Sequence, residues 1–95
     1  MRRFMKIIPY VFLLLLIAGI PACIKYDLEI QNKTDEVLDI YVDGYYEGSV
    51  APNNYLFIRN LSLGDHDVEA LDLDGRVVAE DRVYLDEDSK WIIYD

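Results

Sequence analysis

From Tyr26 onward, apolar and polar residues exchange at every second position, and no segment sustains a helical period. Tyr26, Leu28 and Ile30 fall on one face of an extended run, with Asp27, Glu29 and Gln31 on the other. Asn32 to Glu36 reads as a polar turn. Leu38 and Ile40 then share a face opposite Asp39 and Tyr41. Asp43-Gly44 marks a tight turn, and Tyr45 to Val50 is the returning strand. Ala51 to Asn54 breaks the chain, because Pro52 offers no ladder donor. Tyr55 to Leu61 is apolar on both faces, the pattern of a central strand. Ser62 to Asp65 turns again, and His66 to Leu73 runs into a second Asp-Gly at 74–75. Arg76 to Leu85 follows, then the polar turn Asp86 to Lys90 and a last strand from Trp91. Short strands at this spacing predict an all-β fold, a small antiparallel β-sandwich of about seven strands over residues 26–95.

Keeping carboxylates out of the core predicts the turn at Asp43-Gly44. A two-residue loop would pair Val42 with Tyr45 and Ile40 with Glu47, turning Glu47 to the core face. A three-residue loop, Val42 to Gly44, instead pairs Tyr41 with Tyr45 and turns Tyr46, Gly48 and Val50 inward. The expectation is therefore a type I turn with Gly44 in the left-handed region and an adjacent G1 bulge. At the second Asp-Gly, a three-residue loop would set Asp72 opposite Arg76, a favourable pair.

The start of the chain has a different pattern. Arg2, Arg3 and Lys6 precede a run, Ile7 to Ile20, that is apolar except for Pro9, Tyr10 and Gly19. Pro21, Ala22 and the chain's one cysteine, Cys23, follow. A basic start, a short apolar stretch and a small residue before the cut form a secretory signal. Ile20-Pro21-Ala22-Cys23 resembles the box that ends a bacterial lipoprotein signal peptide, with Pro21 standing where a small or hydroxylated residue is usual. The resemblance implies a signal peptide over residues 1–22. It also implies a lipid on Cys23, an acylated new amino terminus, and a tether over residues 23–25. Two or more acyl chains hold a protein stably at a membrane, where one does not. Ile24 stands where an Asp would favour inner-membrane retention, so the resemblance points to the outer membrane. An ordinary cleaved signal and an uncleaved anchor are the alternatives, the latter disfavoured by a run short of about 20 residues. With one cysteine, no intrachain disulfide forms.

All 18 carboxylates lie from Asp27 onward, so removing Arg2, Arg3 and Lys6 takes the formal charge from −9 to −12. Such acidity argues against nucleic acid, whose phosphates require clustered Lys and Arg.

The run Val42-Asp43-Gly44, Gly48, Pro52, Leu61, Gly64, His66 and Val68 resembles the PEGA domain, with Ala51 where Thr is usual. That resemblance implies a small β-sandwich acting as a non-catalytic accessory module of envelope proteins, with no catalytic residues and no cofactor. His66 opens a strand, where packing or hydrogen bonding outweighs a role as ligand or base. Ser49, Ser62 and Ser89 have no triad context. Asp72, Asp74 and Asp86 to Asp88 raise a calcium-dependent adhesion or glycan-binding module as the alternative function. Their spacing is not that of a calcium loop, so no metal ligand is assigned. Tyr41, Tyr45 and Tyr46 cluster at one hairpin; beside simple cross-strand packing, they are the candidate surface for an envelope protein partner. The sequons at Asn32 and Asn60 are set aside.

Overall fold

A computed structural model describes residues 24–95; the segment containing Cys23 and the apolar run lies outside them. The described residues form seven strands: β1 (Lys25–Lys33), β2 (Leu38–Val42), β3 (Tyr45–Val50), β4 (Tyr55–Ser62), β5 (Gly64–Leu71), β6 (Val77–Leu85) and β7 (Ser89–Tyr94). They build two sheets, one of three strands in the order β4-β1-β7 and one of four in the order β3-β2-β5-β6. The alternation places one apolar face of each sheet against the other. Leu28, Ile30, Ile58 and Ile93 come from the first sheet; Leu38, Ile40, Val42, Val50, Val68, Ala70 and Leu85 come from the second. All eleven are buried, and Tyr26, Leu56, Leu61 and Trp91 pack around them.

Two expectations change. First, the sandwich is not wholly antiparallel. β7 pairs with β1 in parallel, from Leu28 opposite Ser89 to Lys33 opposite Tyr94. A period of two residues fixes which side chains face the core but carries no direction, so the pattern leaves the sense of this pairing open. Second, β4 is an edge strand, not a central one. Its inner residues Leu56, Ile58 and Leu61 pack on the core, while Tyr55 and Phe57 remain exposed. The Arg59 guanidinium lies 5.4 Å from the centre of the Phe57 ring, a cation–π contact that covers part of that outward apolar surface. Opposite Asp27 the ladder takes up an extra residue. Arg59 and Asn60 face one residue of β1, Asn60 has φ +64°, and Asp27 accepts hydrogen bonds from both.

The first hairpin also differs from its expected form. Val42 pairs with Tyr45 and Tyr41 with Tyr46, leaving Asp43-Gly44 as a two-residue loop. Both residues have positive φ, +53° and +85°, as a type I′ turn requires. The register then shifts so that Ile40 faces Gly48, and Glu47 is the additional residue. The chain keeps Glu47 exposed through a bulge inside the hairpin rather than at its turn. Tyr46 consequently points outward and is 57% exposed, the reverse of the expected orientation. In the second hairpin the three-residue loop is present. Gly75 N donates to the Asp72 carbonyl at 2.9 Å, Asp72 N to the Arg76 carbonyl at 2.9 Å, and Gly75 has φ +85°.

Candidate functional site

The turn residues of the first hairpin are tied to the start of β5. Asp43 N donates to the Asp67 carbonyl, and Asp43 Oδ1 accepts from Asp67 N at 2.9 Å. Asp43 Oδ2 lies 2.6 Å from His66 Nδ1, and His66 Nε2 lies 2.7 Å from the Ser62 carbonyl oxygen. A carbonyl oxygen only accepts, so Nε2 carries a proton. With Nε2 protonated, Nδ1 donates to the Asp43 carboxylate only in the imidazolium form. Burial pushes the His66 pKa down, but the Ser62 carbonyl and the Asp43 carboxylate outweigh it, and the net shift is upward. Burial likewise raises Asp43, yet the His66 and Asp67 hydrogen bonds hold its carboxyl below the usual range. Both imidazole nitrogens are engaged, so this histidine serves as a clamp on the turn. Val42, Asp43, Gly44, Gly64 and His66, separated in sequence, thus converge at one end of the sandwich.

Of the three tyrosines at the hairpin, the fold brings two together. Tyr41 and Tyr46 are cross-strand partners on the outer face of the four-stranded sheet, their ring centres 5.5 Å apart at 62°. Tyr46 Oη is 2.9 Å from Ser49 Oγ, which donates to Asp39 Oδ1. Tyr45 stands apart. It is opposite Val42, so it belongs to the core-facing side of the ribbon, yet it is 75% exposed at the turn. Across the same outer face, Tyr41 is opposite Glu69, and Glu69 is opposite Glu80. Asp67, Glu69, Glu80, Asp81 and Arg82 line a shallow groove of about 410 Å³ beside Gly44. Arg82 is held to Asp67 at 2.9 Å.

Two of the acids considered for calcium, Asp72 and Asp88, hold backbone N–H groups of the fold. Asp72 Oδ1 accepts from the backbone N–H groups of Asp74 and Arg76, and Oδ2 accepts from Arg76 Nε at 3.2 Å. The Arg76 backbone N–H leads in holding its carboxyl below the usual range. Asp88 Oδ1 accepts from Asp27 N. Among the described residues, no three His, Cys, Asp or Glu side chains stand together as a metal site.

Sequence reasoning missed Asn32, assigned to a polar turn. It is fully buried. Its Nδ2 donates to the Glu36 and Val50 carbonyls, and its Oδ1 accepts from Thr34 N and Oγ1. Both amide hydrogens are used, which leaves this sequon without a free acceptor nitrogen. The alternation that places Leu28 and Ile30 inward extends to position 32, and that was the available signal.

No family model matches this chain, and no curated protein or solved structure matches it either.

Proposed function

We propose that this chain is a lipid-anchored protein of the bacterial cell envelope. In this reading Cys23 carries the lipid in the outer membrane, and residues 26–95 are a PEGA-like, non-catalytic binding or structural module. The observation that carries the reading is the junction: a basic start, an apolar run and a box ending at Cys23 meet, after Ile24 alone, the first residue of β1. The PEGA-like assignment is supported by the convergence of Val42-Asp43-Gly44 with His66 through the Asp43–His66 pair. The binding surface is the Tyr41–Tyr46 pair on the outer sheet face, where aromatic rings give an envelope protein partner apolar area without a flexible side chain.

Two substitutions test separate parts. Cys23→Ser should block processing, leaving a protein that keeps residues 1–22 and carries no lipid; a variant processed and lipid-labelled like the parent contradicts the anchor. Tyr41→Ala with Tyr46→Ala should abolish recovery of the crosslinked partner from intact cells, at unchanged abundance and fold. Equal recovery moves the partner site elsewhere.

A further inference from the structure

The strand pairings fix which loops share an end of the sandwich. Lys25 is opposite Ser62, Leu28 is opposite Ser89, and Gly64 is opposite Leu85. The start of β1, the β4–β5 link at Leu63 and the β6–β7 link at 86–88 therefore lie together. The Asp43-Gly44 turn joins them through His66, which also bonds the Ser62 carbonyl. At the far end stand the β5–β6 loop with Leu73 and the end of β7 at Tyr94.

The first end carries apolar side chains that the core does not use. Ile24 is 44% exposed, Leu63 45% and Tyr45 75%. Two residue steps separate Cys23 from Lys25, a reach of about 7 Å. Any bilayer attachment at Cys23, whether by acyl chains or by the apolar run itself, holds this end against the headgroups. Tyrosine suits that boundary, with its ring in the apolar region and its hydroxyl in water.

The same end is not uniform. Tyr45 and Leu63 belong to the side of β3 and β4, whereas Asp86, Glu87 and Asp88 join β6 to β7 at the opposite side. Pressing three carboxylates into a headgroup layer is costly. We propose that Ile24, Tyr45 and Leu63 seat in the interfacial layer of the bilayer, and that the sandwich tilts about this edge so that the acidic 86–88 link stays in water. The proposal rests on the attachment at Cys23 and deepens that reading by giving the anchored domain one orientation.

The test needs no substitution in the domain. The protein purified from its own membranes is reconstituted in phosphatidylcholine vesicles, oxidised with hydroxyl radicals and mapped by mass spectrometry, beside the unlipidated chain from Cys23 onward free in solution. Tyr45 and Leu63 should lose oxidation severalfold on the vesicle, while Leu73 and Tyr94 at the far end are unchanged. A protein that floats with the vesicles but keeps the solution ratio of Tyr45 to Tyr94 overturns the seating and leaves the anchor standing. A purified protein that does not float overturns the anchor, and the seating with it.

Discussion

Asn32 shows how one buried amide closes an end of the fold. Its side chain holds the β1–β2 turn through Glu36 and Thr34 and the end of β3 through Val50. Asn32→Leu keeps the branched shape, in a larger side chain, but orphans those partners, and it should cost about 1–3 kcal/mol or more in urea unfolding. Its inward position was legible from the alternation; its role was not, because a polar residue beside Lys33 and Thr34 has the composition of a turn. At the other end, the His66–Asp43 pair gives stability a pH dependence with a definite sign. The His66 pKa is raised on folding from its ordinary 6.5, so its contribution is complete below that value and is lost as pH rises through the folded one. Asp43 is lowered from 3.8, so its contribution is present above that value and is lost as acid carries pH through the folded one. Thermal melting should therefore be highest in mildly acidic buffer and fall as pH rises above the range where an ordinary His titrates. His66→Gln should flatten that fall; a slope equal to the parent's contradicts the clamp. Sequence reading gave His66 a hydrogen-bonding role, but Asp43 as its partner is 23 residues away and emerges only from the pairing of β2 with β5.

Elements were more legible than their neighbours. All seven expected strands are present, though β1 runs on to Lys33, β5 begins at Gly64 and β7 at Ser89, inside the expected turns, and Leu28, Ile30, Leu38 and Ile40 face the core as expected. The hairpin turn departs because two devices meet the same constraint on Glu47. A wider loop and an internal bulge both keep its carboxylate in water, and residue pattern does not rank them. The bulge makes its glycine the more demanding one. At Gly48, φ is +145° and an added Cβ would sit 3.3 Å from Leu56 Cδ1; at Gly44, φ is +85° with open space around it. Gly48→Ala should cost about 1–3 kcal/mol, and Gly44→Ala the smaller amount of the two. Urea melts that rank them the other way contradict the bulge. β4 was misplaced because exposed Tyr55 and Phe57 give it the composition of a strand covered on both faces. An outward aromatic is equally at home on an edge, where Arg59 reaches across Phe57.

At the scale of the molecule, a sandwich whose residues 24–95 carry a formal charge of −12 avoids anionic surfaces except where something holds it there. In the proposed account that hold is chemical rather than electrostatic, a lipid one residue away from the first strand. Membrane association should then resist high-salt washing and yield to detergent, whereas an electrostatic association yields to salt. The fold was legible because a two-residue period writes the core directly into the sequence. The partner was not, because a tyrosine pair on a sheet face has the same pattern whether it only packs or also binds. The most direct measurement is intact mass spectrometry of the protein extracted from its own membranes. The account predicts a mature chain that begins at Cys23 and carries the added mass of diacylglycerol and an amide-linked acyl chain. A chain recovered with residues 1–22 still attached, or cut without lipid and found in the soluble fraction, contradicts it.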